Sequence, residues 1–347
     1  MIISIMERAM ARVTLKDVAE RAGVGVATVD RVLNARAPVS AATSARVLSA
    51  ADALGYRSSG LLRRRVEEMA PAKRLGFILQ KESKWFYREL AAELQRQAEQ
   101  LRSIRASVVI RYVESLSPSG LAAAIIDMHG KVDTIGLVAI DHPEVNRAIA
   151  SLDVPVFALL SPLSSPDVTA YVGIDSRKAG RTAGWAMARL NQAEGAVGIL
   201  IGSHRYLGHE ALESGFRSYM REFAPQKPLR DSVVYLDDAA VAYEATAELL
   251  QAHKDLSGIY HCGGGVSGAL KALREAGRAR DVFYICHERT PVTEAALADS
   301  SVDMVINNPL DQVADRVTYL MSRCLAGKPF QAQIGTIPFY LCTSENL

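Results

Sequence analysis

Residues 13–34 read VTLKDVAERAGVGVATVDRVLN, and this run decides how the chain begins. Leu15, Val18, Ala19 and Ala22 recur at the i, i+3, i+4, i+7 spacing of an amphipathic helix, with Thr14 placed to cap its start. Gly23 follows where a left-handed residue ends a helix. After the short Val24-Gly25 turn, Val29, Val32 and Leu33 mark the inward face of a second helix and leave Thr28 and Arg31 outside. Two helices joined so tightly form a helix-turn-helix. A third, from about Ser40 to Leu54, offers Val47, Leu48 and Ala51 to close a small core, and Gly55 stops it.

Charge distribution indicates a partner for this unit. Residues 1–65 carry eleven Lys and Arg against five Asp and Glu, whereas the rest of the chain carries 29 against 33. A basic segment ahead of an acidic remainder points to a polyanion held by the N-terminal part alone. The second helix of such a unit enters the major groove of double-stranded DNA, where Arg31 can reach guanine O6 and N7. Thr14, Thr28, Asn34 and Ser40 can hydrogen-bond phosphates. A generic three-helix bundle with a polar surface has the same periodicity and stays open as the alternative on pattern alone.

The run from Val13 to Asn34, followed by Val39-Ser40 and Leu54-Gly55-Tyr56-Arg57, closely resembles the DNA-binding headpiece of the lactose-repressor (LacI/GalR) family. That resemblance implies base contacts from the first residues of the recognition helix, here Val26 and Ala27, with Arg31 one turn on. Apolar Val26 and Ala27 suit thymine methyls. Asp30 stands where the family usually has Ser, and near phosphates it would repel unless it pairs with Arg31 or accepts from a cytosine amine. Family members continue with Pro-Asn and a hinge helix that wedges a leucine into the minor groove. Here the run is Ser58-Ser59-Gly60-Leu61-Leu62-Arg63-Arg64-Arg65, which aligns Arg65 with the wedge. Three readings stay open: Leu61 or Leu62 takes over the wedge, Arg63 to Arg65 hold the minor groove by charge, or the segment is a basic tether.

At 347 residues the chain has room for two or three domains, and with 49% hydrophobic and 22% charged residues it reads as globular. Cys262, Cys286, Cys324 and Cys342 lack metal-ligand or disulfide spacing, so reduced thiols are expected. Met1 to Met10 holds a short apolar run without a basic region before it or a cleavage site after it, and reads as a leader or an early start codon. No stretch reaches the roughly 20 apolar residues needed to cross a bilayer. These features predict a cytoplasmic protein with no membrane partner.

Beyond Pro71 the pattern changes to short apolar runs, of the kind buried on both faces of a parallel sheet, alternating with helical segments. Strands are expected at 74–79, 107–112, 134–140, 154–160 and 170–174. A second series is expected at 196–201, 232–236, 258–261, 282–286 and 304–306, with last strands over 336–341. The expected fold is therefore a three-helix headpiece followed by two doubly wound α/β lobes, an organisation that resembles the type I periplasmic sugar-binding proteins. The expected domains are a headpiece over 10–57, a hinge over 58–71 and a sensor over 72–347. Within the sensor, lobe one takes 72–174 and 307–330, and lobe two takes 175–306 and 331–347.

Such lobes place ligands at the carboxyl ends of their strands, so the cleft candidates follow by position. Trp85 and Phe86 could stack on a sugar ring. Asp141 and His142, Ser161, His204, His209 and Glu210 could bind hydroxyls. By the resemblance, His287-Glu288 ends a strand where the family has acidic hydroxyl-binding residues, and Asn308 closes the site. The family often has an effector-gripping Arg three residues before a Gly-Phe pair, but ahead of Gly215-Phe216 this chain has Leu212. Carboxylates without an arginine partner predict a neutral sugar or polyol.

Gly263-Gly264-Gly265-Val266-Ser267-Gly268 also fits G-x-G-x-x-G, with Glu288 twenty residues on, so a nucleotide-dependent (NAD-type) enzyme fused to a DNA-binding head is the alternative. Against it, the motif lies in mid-lobe, and Gly263 and Gly265 can equally bring backbone amides to a sugar. No Ser-His-Asp or Cys-His constellation is evident. The expectation is an allosteric, homodimeric repressor with no cofactor and no metal, whose operator affinity changes with effector; a solute-binding protein without regulation is the other alternative. The last strands are followed by no heptad run, so a dimer rather than a tetramer is expected.

Overall fold

The computed structural model describes residues 13–34, 39–56, 70–329 and 336–347. Leu61, Leu62, Arg63, Arg65 and the rest of the hinge from 58 to 69 lie outside the described residues. The chain divides into two compact units, one of residues 1–73 with 99–106, the other of 74–98 with 107–347.

In the first unit, α1 (Leu15–Ala22) starts on a capping box in which Thr14 and Asp17 each receive the other's backbone N–H. Gly23, at φ 63°, ends it, and its N–H and that of Val24 turn back onto the last carbonyls. α2 (Val26–Asn34) follows at once, and α3 (Ala41–Ala53) is capped by Ser40. Val18, Ala19, Ala22, Val29, Val32, Val47, Ala50 and Ala51 form the buried core, with Leu15, Leu48 and Tyr56 packed at its margin.

The second unit holds two six-stranded sheets. The elements of the first are β1 (Ala72–Gln80), α4 (Trp85–Glu99), β2 (Arg105–Val113), α5 (Pro118–Met128), β3 (Thr134–Leu137), α6 (Pro143–Ala150), β4 (Val156–Leu159) and β5 (Val168–Ile174). The chain then passes into α7 (Ser176–Leu190), β6 (Ala196–Ile201), α8 (Leu207–Phe223), β7 (Leu229–Val234), α9 (Ala239–Ala252), β8 (Leu256–Cys262), α10 (Val266–Glu275), β9 (Phe283–His287), α11 (Pro291–Ala298) and β10 (Met304–Asn307). It returns through α12 (Leu310–Leu325), which packs on β3 and β5, and ends in β11 (Thr336–Ile337) and β12 (Tyr340–Cys342). The strand orders are β11-β5-β4-β3-β1-β2 and β12-β10-β9-β8-β6-β7.

Two expectations need correction. The last strands expected over 336–341 do not both join lobe two: β11 pairs in parallel with β5 in the first sheet, while β12 runs antiparallel to β10 in the second. Lobe two therefore does not take everything beyond 331, because Thr336 and Ile337 close the edge of lobe one. Not every strand is buried on both faces: β2 and β7 lie at sheet edges, where β2 alternates exposed and half-buried residues up to the buried Val113 and β7 has no buried residue.

Helix pairs in lobe two approach at backbone distance. A Cβ at Gly180 of α7 would stand 2.0 Å from the Leu212 carbonyl oxygen of α8, and one at Gly268 would stand 1.7 Å from the Ala239 carbonyl oxygen of α9. Gly268, the last glycine of the fingerprint-like run, is thus required by helix packing, a sufficient reason for it without any dinucleotide.

Candidate functional site

Two surfaces can do chemistry, one in each unit. On the headpiece, the buried residues of α2 are Val29 and Val32, so Val26, Ala27 and Arg31 lie exposed on the opposite side and Thr28 is half-buried. Val26, 45% exposed, is an apolar residue on a polar face, as direct contact with a base methyl would require. Thr14 and Ser40 stand at helix starts with their hydroxyls engaged in capping, Thr14 Oγ1 donating to Asp17 Oδ2 at 2.7 Å and Ser40 Oγ to Thr43 Oγ1 at 3.0 Å. Asn34 ends α2, and its side chain lies outside the described residues.

In the second unit the carboxyl ends of both sheets face one cavity, with about 80 Å³ open to the centres of water-sized molecules. One water needs roughly 10–15 Å³ on that measure, so the space suits one monosaccharide-sized molecule and is far too small for a dinucleotide. Lobe one supplies Lys84, Phe86, Tyr87, Val138, Leu160, Ser161 and Ile174. Lobe two supplies Tyr206, Gly208, His209, Leu212, Asp237, Gly263, Gly264, His287 and Glu288, and Asn308 lies on the return crossover. Lys84 is the one cationic side chain in this lining, and Leu212 presents an apolar surface at the place where the family often has an arginine.

Three lining residues are non-glycine residues held in the left-handed region: Leu160 at φ 64°, Asp237 at 52° and Glu288 at 70°. Each costs on the order of 1–3 kcal/mol, tolerated where the surrounding structure fixes it and typical of ligand clamps. Glu288 is fixed by its N–H to the Ile306 carbonyl and by the Thr293 hydroxyl donating to its own carbonyl.

Behind the lobe-two wall runs a buried network. The Tyr284 hydroxyl donates to His261 Nδ1 (2.6 Å), His261 Nε2 donates to the Gly264 carbonyl (2.8 Å), and the Gly264 N–H donates to Asp237 Oδ1 (2.9 Å). The carbonyl can only accept, which fixes the His261 tautomer. Tyr260 pairs with His287 Nε2 at 2.8 Å and stacks on Phe216 with ring centroids 4.5 Å apart. Burial depresses His261 to about 4 and His287 to about 3, so both are neutral, and lowers His209 as well. Burial, reinforced by Asp237, raises Glu288 to about 8, against the pull of Lys84.

Among the described residues three hydrogen bonds join the lobes at the cleft, besides the Gln312 Nε2 to Tyr340 hydroxyl bond (2.7 Å) between α12 and β12. Lys84 Nζ donates to the Asp237 main-chain carbonyl, the Gly208 N–H to Ser161 Oγ (3.0 Å), and the Asp141 N–H to the Arg205 carbonyl (2.8 Å). The lobes are closed on one another.

Of the residues expected in the cleft, Phe86, Ser161, His209, Gly263, His287, Glu288 and Asn308 line it. Ser161 does so with its hydroxyl already accepting from Gly208. The structure does not bring the others there. Trp85 is 37% exposed at the start of α4, one residue out of phase with the inward face. The Asp141 carboxylate is taken up by Ser164 and Asn146. His204 is exposed, 3.8 Å from Glu213, and Glu210 is exposed on α8. Gly265, at φ 78°, begins α10 outside the lining. Sequence reasoning missed Lys84, Tyr87, Tyr206 and Asp237. Asp237 follows a strand of lobe two, so the rule that found the other candidates would have found it had that loop been searched.

Residues 14–59 match the family described as bacterial regulatory proteins, lacI family, and residues 75–329 match the periplasmic binding protein domain. No curated protein matches the chain. Among solved structures, a solute-binding protein of an ABC transporter from Agrobacterium vitis with bound D-fucose superposes with a TM-score of 0.73 at 16% identity, covering 79% of this chain and 96% of that one. A second, from Actinobacillus succinogenes with bound D-allose, gives 0.71 at 17%, covering 79% and 98%. GanP, a glucose-galactose binding protein from Geobacillus stearothermophilus, gives 0.71 at 18%, covering 80% and 99%. At such identities the likeness shows the fold. Among the described residues no helix is long and apolar enough to cross a membrane, and no group of His, Cys, Asp and Glu could hold a metal.

Proposed function

Because this chain belongs to the lacI family of bacterial regulatory proteins, a family of DNA-binding regulators rather than enzymes, and carries a periplasmic binding protein domain, we propose that it is a cytoplasmic homodimeric repressor whose grip on its operator changes when a neutral monosaccharide or polyol occupies the cleft. The observation that carries the effector class is the lining itself. Phe86, Val138, Leu160, Ile174 and Leu212 give it apolar surface, Asp237, Glu288, His209, His287 and Asn308 give it polar groups, and no arginine is present to clamp an acid or phosphate. Sugars bound by proteins of the same fold, D-fucose and D-allose, are of the size the cavity admits.

Closure couples the sites. An effector that fits the closed lobes better than the open ones shifts their equilibrium, and a coupling of about 1–3 kcal/mol changes operator affinity roughly 5- to 150-fold. On DNA we assign base contacts to Val26, Ala27 and Arg31, with Thr14, Thr28, Asn34 and Ser40 near the phosphates and Leu61, Leu62 and Arg63 in the minor groove. The test is operator binding of the full chain by fluorescence anisotropy, with and without each member of a neutral-sugar panel ranked first by thermal shift. Release of DNA by one sugar supports the reading; tighter binding reverses its sign; no response to any sugar that stabilises the protein refutes it. Arg31→Ala is expected to weaken the specific site by about 1–3 kcal/mol and leave the fold intact.

A further inference from the structure

We propose that Glu288 meets the effector as a neutral carboxylic acid, donating its O–H to a ligand oxygen while the Asp237 carboxylate beside it accepts a ligand hydroxyl. The two thus offer one donor and one acceptor to a ligand in the same cavity. This rests on the neutral-sugar reading of the cleft.

The asymmetry lies in what each carboxyl receives. Asp237 has a main-chain donor on its carboxylate. Gly264 donates its N–H to Oδ1 at 2.9 Å, and the carbonyl of the same residue accepts from the Tyr284–His261 relay. A Cβ at Gly202 would fall 2.3 Å from Oδ1 and one at Gly263 2.4 Å, so the backbone is bare of side chains where the carboxylate sits. Hydrogen bonds to a carboxylate favour its charged form. No side-chain or main-chain group among the described residues donates to the Glu288 carboxyl, although its backbone is tied at both N–H and C=O. Lys84, the cation of this lining, donates to the Asp237 main-chain carbonyl instead. Two carboxyls on one small cavity with a single cation cannot both ionise cheaply, and the proton goes to the one without an N–H donor.

The other groups around Glu288 do not change this assignment. Tyr87, Tyr235 and Cys286 are coupled to it and are kept neutral by burial, which raises all three. His209 and His287 also line the cavity and are neutral because burial lowers them. The raised Glu288, about 8, agrees with the geometry.

Infrared difference spectroscopy of the full-length protein at pH 7, wild type against Glu288→Gln, reads the proton without any ligand. A protonated-carboxyl stretch that disappears in the variant and titrates away above pH 8 is expected. Its absence at pH 7 overturns the proposal. Calorimetry with D-allose and D-fucose supplies the second arm. Wild type should bind the better sugar roughly tenfold more weakly at pH 9 than at pH 7, the loss of one required proton. Glu288→Gln, which still offers a neutral donor, should bind within about threefold of wild type and lose that dependence. A tenfold or greater loss in Glu288→Gln at pH 7 overturns the donor role. If the band is present and neither sugar binds, the proton assignment stands and the sugar reading falls.

Discussion

The two walls of the cleft are built differently. Lobe one contributes apolar surface from Phe86, Val138, Leu160 and Ile174, with Lys84 reaching across, while lobe two contributes Asp237, Glu288, His209 and His287 backed by buried tyrosines and His261. Polar groups recognise a ligand only if they are held in place, and holding them costs buried hydrogen-bonding groups that must all be satisfied. On the proposed reading, the wall that recognises the effector is the one with the network behind it, and the other wall covers it.

Acid should break this division first. Unfolded histidine titrates near 6.5, whereas His261 and His287 are neutral in the fold down to about 4 and about 3. Between those values the unfolded chain binds more protons, so the stability these two residues confer is fully present above pH 6.5 and lost as pH falls toward 4. The loss is about 3 kcal/mol or more for each. Chemical denaturation from pH 7 to pH 4 measures it, and an His261→Gln/His287→Gln variant should flatten the profile. Glu288 acts in the opposite sense, its contribution present below about 4.5 and lost as pH rises through about 8.

The next largest effect belongs to Asp237→Ala, which removes the charged acceptor and empties its glycine cradle. Effector affinity by calorimetry should fall on the order of 100-fold, as loss of a charged hydrogen bond predicts. Phe86→Ala, on the covering wall, should cost roughly tenfold in the same measurement, and Trp85→Ala next to it nothing; an equal loss for the two would contradict the assignment of the wall. Ser161→Ala should cost only a few-fold, about 1 kcal/mol for one neutral hydrogen bond. Its effect belongs in the closed population read by small-angle scattering.

The headpiece was legible because its information is local. Thr14, Gly23, Ser40 and Gly55 act on residues within four positions of themselves, and the structure uses all four at helix boundaries. The sheets were legible from their apolar runs, apart from the edges and the last strand, where pairing partners are set by distant segments. The cleft was legible only in part. Strand ends point to loops that line the cavity, yet which residue of a loop faces inward depends on one step of phase, which chose Phe86 over Trp85 and His209 over Glu210. Asp141 and Ser161 were the right kinds of residue in the right loops, but the fold occupies their side chains with partners that no spacing reveals.

Each of the three hydrogen bonds found at the cleft among the described residues uses a main-chain atom on at least one side, and the one between Asp141 and Arg205 uses main chain on both. A backbone amide is present whatever amino acid occupies the position. The Asp141–Arg205 latch is therefore indifferent to substitution, whereas the other two bonds draw on Lys84 and Ser161, which also line the cavity, so exchanging either of those side chains loosens the jaws as well as reshaping the cleft.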